Sequence, residues 1–240
     1  MRIVSLVPSL TESLFDLGLT TDEVVGRTKF CIHPEGEIKK VQTIGGTKNL
    51  NIDKIKSLAP DLILANKEEN VKEQVEELMQ HFCVDVDDTI TLTHNDALLR
   101  RLGKLIDRES AAEQSIEKIH DNFRNIPKTS MPVKTAYLIW KKPYMTVGGD
   151  TFIHHMMERI GLENIFGQRL RYPAIEIEEM AEAELILLSS EPYPFKQKHA
   201  DELQAFLPGK KILTVDGEAF SWFGTHIAKP NYAAMVKTFT

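Results

Sequence analysis

Short apolar runs alternate with amphipathic stretches along most of the chain. Residues 3–7 read as a buried strand, followed by a turn at Pro8 and Ser9. Apolar residues at helical spacing predict a helix over 11–17. Ser9 and Glu12, three apart, offer it a capping box, and Gly18 a stop. A short strand is expected at 23–25, a helix at 52–58 ending before Pro60, a buried strand at 62–65, a helix at 71–80, a strand at 82–86 and a helix at 97–105. The order then returns. A strand is expected at 134–140, a helix at 151–160 closed by Gly161, a helix at 175–181, and strands at 185–189 and 211–215.

The two halves share more than element order. Leu17-Gly18-Leu19 is matched by Ile160-Gly161-Leu162. Ile52-Asp53-Lys54-Ile55 ahead of the strand at 62 is matched by Ile177-Glu178-Glu179-Met180 ahead of the strand at 185. The second copy is two residues shorter between its acid and its strand. Such recurrence in order is the mark of an internal duplication. Between the halves, Ala112, Ile116, Ile119 and Phe123 fall at helical spacing within 108–126, and Pro127 and Pro132 end that stretch. The expected fold is α/β: two similar lobes with mainly parallel central sheets, joined by one long helix, with a ligand cleft between them. The expected divisions are 1–106 for the N-terminal lobe, 107–127 for the helix and 128–240 for the C-terminal lobe.

Composition narrows the class. With 240 residues, 42% hydrophobic and 27% charged, the chain is of ordinary globular make-up, neither disordered nor collagen-like. No apolar run approaches the ~18 residues of a membrane span. The net charge of −6, with no basic stripe, argues against a nucleic-acid partner. Cys31 and Cys83 are too few for a disulfide framework and are expected as two small buried hydrophobes, a single bridge remaining open. The chain starts on a strand rather than an export signal. Two readings follow: a cytoplasmic protein, or an exported one whose signal has been removed.

In parallel α/β sheets, ligands bind beyond the carboxyl ends of strands. The connections to inspect are 8–11, 27–34, 66–70, 140–150, 189–195 and 216–226. They are rich in rings: Phe30, Trp140, Tyr144, Tyr193, Phe195, Phe220, Trp222 and Phe223, with Tyr172 in another connection. Rings in loops suit a large, flat, amphipathic ligand. His226 follows the last cluster and could touch such a ligand or a metal centre that the ligand carries. No metal held by the protein itself is expected. Cys31 and His33 could face one side of an extended segment, but no second pair accompanies them, and the adjacent His154 and His155 splay apart on a helix. There is no nucleophile elbow, phosphate loop or dinucleotide fingerprint. The pairs Gly45-Gly46 and Gly148-Gly149 are turn signals, and Asp150 and Glu191 have no identifiable catalytic partner. Catalytic signatures are therefore poor, and no enzyme activity is expected.

Several of these stretches, taken together, resemble a known family. They are residues 3–12 (IVSLVPSLTE), 25–34 (VGRTKFCIHP), 51–55 (NIDKI) leading to 59–64 (APDLIL), 140–153, Tyr172-Pro173, and 189–195 (SSEPYPF). In order and spacing they are similar to the substrate-binding proteins of metal-chelate ABC transporters, particularly the vitamin B12 and siderophore group. The resemblance covers nearly the whole chain. It implies two lobes joined by a long helix and a ligand contacted by Ser9, Phe30, Met145, Tyr172 and the Ser221-Trp222 region. The loop reading adds Trp140, Tyr193, Phe223 and His226. The implied ligand is a corrinoid, ferric siderophore or haem, so cobalt or iron would arrive with the ligand, and no covalently bound cofactor is expected. The implied partner is an ABC permease, met by one acid per lobe at Asp53 and Glu178, and the implied location is periplasmic or otherwise extracytoplasmic. The alternative is a cytoplasmic protein of the same fold that handles or modifies a corrinoid or metal chelate. The pattern departs at Thr47 and Asn66, where vitamin B12 binders place aromatic residues, and at Asp53, where glutamate is usual.

Overall fold

In the computed structural model, residues 1–127 and 131–239 are described, and the chain divides into two units. The first comprises Met1–Thr89, Thr93–Lys118 and Phe223–Ala228; the second comprises Ile90–Leu92, Ile119–Trp222 and Lys229–Thr240. The expected C-terminal lobe begins on residues 128–130, outside the described set, and the short segment Phe223–Ala228 packs with the first unit.

The first unit is built on β1 (Ile3–Ser5), α1 (Pro8–Asp16), β2 (Val24–Arg27), β3 (Gln42–Thr43), α2 (Ile52–Leu58), β4 (Leu62–Asn66), α3 (Lys72–Met79) and β5 (Val84–Asp87). Its sheet runs β3-β2-β1-β4-β5, every neighbouring pair parallel. β1 and β4 are buried along their whole length, which is why each opens on consecutive apolar residues, Ile3-Val4 and Leu62 to Ala65, rather than alternating ones. Asn51 starts α2 by accepting the Lys54 amide on its side chain at 2.9 Å. The start of α1 differs from expectation. The helix opens at Pro8 with Val7 as its N-cap, and no side chain caps it. Proline suits the first helical position, because its missing N–H would be unpaired there anyway. Ser9 and Glu12 therefore lie inside the helix, and the expected capping box does not form.

Two helices follow, α4 (Leu92–Leu105) and α5 (Glu109–Arg124). The first starts five residues earlier than its spacing suggested, and the second is the long helix expected at 108–126. The boundary between the units falls within α5, after Lys118.

The second unit contains β6 (Val133–Leu138), α6 (Phe152–Arg159), β7 (Leu162–Asn164), β8 (Leu185–Ser189), α7 (Gln197–Phe206), β9 (Lys211–Val215), α8 (Glu218–Ser221) and α9 (Tyr232–Phe239). Its sheet runs β7-β6-β8-β9, again all parallel. This is the order β2-β1-β4-β5 of the first unit with each strand replaced by its counterpart. Leu138, Ile186, Leu188, Phe195 and Leu203 form the centre of one core cluster. Tyr232 stacks on Phe123 at 4.9 Å, and its hydroxyl donates to the Ala219 carbonyl at 2.8 Å. The expected helix at 175–181 is instead a strand pairing followed by a single turn: Ala174–Ile175 runs antiparallel to Tyr144–Met145, and Ile177–Met180 is a 3-10 turn. β7, α7 and α9 had no counterpart in the sequence reading. Cys31 is buried and Cys83 exposed, and both are free thiols, so only Cys31 behaves as the expected buried hydrophobe. Among the described residues, no helix is long and apolar enough to cross a membrane.

Candidate ligand-binding loops

Because each sheet is parallel, the connections that leave its strands emerge at one edge. In the first unit, that edge carries the start of α1, the loop after β2, the loop after β4 and the segment 223–228. Phe30 follows β2 and is 51% exposed, unusual for a phenylalanine, with the Lys29 ammonium 5.0 Å from its ring centre. Next to it, Cys31 is buried against the hydroxyls of Thr11 and Thr28, at 3.1 and 3.2 Å, and burial pushes its thiol pKa up. A thiol in that state is a packing group rather than a reactive one.

The buried core of this edge is polar. Glu12 and His226 meet at 2.7 Å, Oε2 to Nδ1, with both side chains almost wholly buried. A buried carboxylate is tolerated only with such a partner. The His33 ring lies 6.3 Å from that of His226. Ser13 donates to the Ser9 carbonyl at 2.8 Å and accepts the Thr225 amide at 3.1 Å, while Thr225 donates to Asp16 at 2.6 Å. Ser9 itself is buried, and among the described residues its hydroxyl has no hydrogen-bond partner. Asn66, at the position where an aromatic residue would have suited a flat ligand, is committed to the loop. Its side-chain oxygen accepts the amides of Glu68 and Glu69, and its own amide donates to the Asn70 side chain. Beside it, Arg101 of α4 holds Asp85 at 3.0 Å and the buried Asp87 at 3.1 Å.

In the second unit, the loops after β6 and β8 carry a ladder of rings. Trp140, 40% exposed, meets Tyr193 edge-on at 5.6 Å, and Tyr193 meets Phe195 at 4.8 Å. His199 packs on both of the latter at 5.4 and 5.6 Å, and its pKa is lowered, mainly by burial. Phe195 belongs to the core, so the ladder runs from interior to surface. Burial likewise raises the Tyr144 phenol. Lys141 beside it is ion-paired with Glu202. Met145 is half-buried in the short pairing with Ala174. Tyr172 is half-buried, with the Arg171 guanidinium 5.9 Å from its ring. The Gly148-Gly149 pair proves to be more than a turn signal. A Cβ on Gly149 would lie 2.1 Å from the Gly167 carbonyl oxygen, so two backbone segments pass too closely for any side chain.

The loops after β8 and β9 are joined by Glu191. Its Oε1 accepts from Ser221 Oγ at 2.8 Å and from the Trp222 indole at 2.9 Å, and Trp222 is 8% exposed. Burial, reinforced by the nearby Glu218 and Asp216, raises its carboxyl pKa despite those two donors. By sequence alone Glu191 is an acid with no identifiable catalytic partner. The partners stand about thirty residues away and no local spacing announces them. Of the other expected ligand residues, Phe223 and His226 are buried in the first unit; the expected docking acids Asp53 and Glu178 are exposed, each at the second position of its helix or turn. Among the described residues, no group of three or more His, Cys, Asp or Glu side chains is placed to hold a metal ion.

Comparison with known proteins gives the chain relatives of known kind. Residues 3–206 match the periplasmic binding protein family. The vitamin B12-binding protein of Yersinia pestis (strain Pestoides F) is 27% identical over 92% of this chain and 79% of its own length. Among solved structures, the periplasmic vitamin B12-binding protein of Vibrio cholerae has a TM-score of 0.83 at 22% identity, covering 99% of this chain and 95% of that one. The periplasmic haem-binding protein of Vibrio cholerae has a TM-score of 0.81 at 20% identity, covering 99% and 98%. The family match spans most of the chain, and on that ground the chain belongs to the periplasmic binding protein family.

Proposed function

We propose that this protein captures a metal chelate, a corrinoid, ferric siderophore or haem, and delivers it to an ABC importer. The observation that carries the reading is the family match together with relatives named for vitamin B12 and haem. The ring-rich loops support it. Phe30 and Trp140 are left exposed at the edges where parallel sheets take ligands, where they offer flat apolar area at little entropic cost. Trp140, Tyr193, Met145 and Tyr172 would receive the ligand from the second unit and Ser9, Phe30, Phe223 and His226 from the first, with Trp222 joining them. The metal travels with the ligand, and the protein contributes shape and rings. The reading places the protein outside the cytoplasm, with Asp53 and Glu178 as the acids that meet the permease. Calorimetric titration with cobalamins, haem and ferric siderophores tests it. Saturable binding to one of them is expected, and a panel in which nothing binds below about 100 µM, some 5–6 kcal/mol, would refute it.

A further inference from the structure

Glu191 sits just past β8, and its backbone is held in a tight turn. Ser189 Oγ donates to the Glu191 carbonyl at 2.5 Å, and Tyr137 of β6 donates to Ser189 Oγ at 3.1 Å. Across from it, Gly217 passes so close that a Cβ there would lie 2.6 Å from Glu191 Cγ. The Gly217 amide donates to Ser190 Oγ at 2.9 Å, tying the two loops a second time. The Glu191 carboxyl group is thus presented from a rigid base. Its single oxygen Oε1 takes both the Ser221 hydroxyl and the Trp222 indole N–H. An indole has one donor only. Anchoring that donor fixes the rotation of the ring about its side-chain bonds and so sets which face it presents.

The geometry points to Glu191 as the positioning residue for Trp222: its carboxylate fixes the indole and the Ser221 hydroxyl within the loops after β8 and β9, and protonation loosens that hold. A hydrogen bond to an ionised carboxylate is roughly twice as strong as one to a neutral acceptor. By linkage, a donor that favours the ionised carboxylate is itself released when the proton binds. The groups placed against Glu191 among the described residues include Asp216 and Glu218 from the segment after β9, the Tyr137 phenol from β6 through Ser189, and Ser221 and Trp222 from the end of α8. Their negative charge and the burial of the site both oppose ionisation, which places the transition above the ordinary carboxylate range. That Trp222 serves a ligand rests on the proposed function; that Glu191 holds it does not.

The chain has two tryptophans, so Trp140→Phe leaves Trp222 as the sole indole reporter. In that background, emission and acrylamide quenching are followed across roughly pH 4 to 8, with circular dichroism to confirm the fold. The expected result is a single transition centred above the ordinary glutamate value of about 4.3, the indole being redder and more quenchable on the acid side. Glu191→Gln keeps an acceptor at the same place and is expected to give a flat profile. Glu191→Ala is expected to be red-shifted at every pH. A transition that persists in Glu191→Gln, or a flat profile with Glu191 intact, overturns the assignment. If Glu191→Ala does not fold, the comparison of glutamate with glutamine decides alone. Failure of the ligand panel would sink the import reading and leave this measurement untouched.

Discussion

Replacing Gly224 with alanine probes how the 223–228 segment, which carries Phe223 and His226, is held to the first unit. Gly224 has φ of +82°, where an L-residue costs about 1–2 kcal/mol, partly offset by about 0.4–1 kcal/mol from stiffening the unfolded chain. The steric conflict adds to this. A Cβ at this position would stand 2.1 Å from Ser13 Oγ, so that hydroxyl must swing aside. In doing so it abandons its bond to the Ser9 carbonyl and the one it accepts from the Thr225 amide, about 1 kcal/mol each. The expected loss is therefore about 3 kcal/mol. The Gly224 amide, bonded to Asn95 at 2.5 Å, leaves the segment little room to shift as a whole. Urea unfolding measures the loss. A second substitution separates its parts. Ser13→Ala removes the obstructing oxygen and leaves its Cβ at an acceptable 3.4 Å, so the double variant pays for the lost bonds once, not twice. A coupling of about 2 kcal/mol is expected from the cycle. A Gly224→Ala protein within about 0.5 kcal/mol of the parent, or an additive cycle, would refute the reasoning.

Three further outcomes follow from the same structure. His226→Ala removes the Nδ1 partner of the buried Glu12 carboxyl group and should lower stability by about 1–3 kcal/mol, seen as a fall in melting temperature; adding Glu12→Gln should recover part of it. Arg101→Met removes the cationic partner of the buried Asp87 Oδ1 and should cost about 2 kcal/mol in urea unfolding, while the bonds of Asp87 Oδ2 to Thr89 and Asn66 remain. For Glu191 the folded-state pKa is raised, so its contribution is intact below the unfolded-state value and is lost as pH climbs through the shifted one. Relative to Glu191→Gln, the parent should therefore lose stability as pH rises over that window, and equal pH slopes for the two proteins would contradict the sign.

The fold was legible wherever burial wrote a pattern into local sequence. β4 and β8 lie inside parallel sheets, so each opens on four consecutive apolar residues, and β8 was placed to the residue. The duplicated strand order bears out the recurrence seen between the two halves. What escaped was governed by distant partners. β7 is three residues at a sheet edge with one of them exposed, too short for any period to show. α7 buries only His199, Ala200 and Leu203 within ten residues, a stripe masked by charged neighbours. The capping box at Ser9 failed because Pro8 could open the helix itself, which freed Glu12 for a histidine more than two hundred residues away. The candidate site divides in the same way. The rings were visible as composition, whereas Glu191, Asn66 and Arg101, which hold the loops in place, are defined by partners that sequence spacing does not reveal.

The acids Asp53 and Glu178 show where local rules and function must be separated. Asp53 is the second residue of α2, seven residues long, and Glu178 the second of a 3-10 turn of four. The difference traces to the two residues missing between acid and strand in the second copy, which leave room for one turn instead of a helix. Both acids stay exposed in a first turn, where the helix dipole favours negative charge by about 0.3–1 kcal/mol whatever else the residue does. Their recurrence alone therefore does not argue for docking. Charge reversal does discriminate. Asp53→Lys or Glu178→Lys should lower stability by no more than about 1 kcal/mol. Ligand affinity should be unchanged, because neither residue lies in the ring-bearing loops. If the pair meets a permease, uptake by cells carrying either variant should fall at least tenfold, the effect of reversing a charge that an interface uses. Uptake that merely tracks the small stability change would return both acids to the role of helix-start residues.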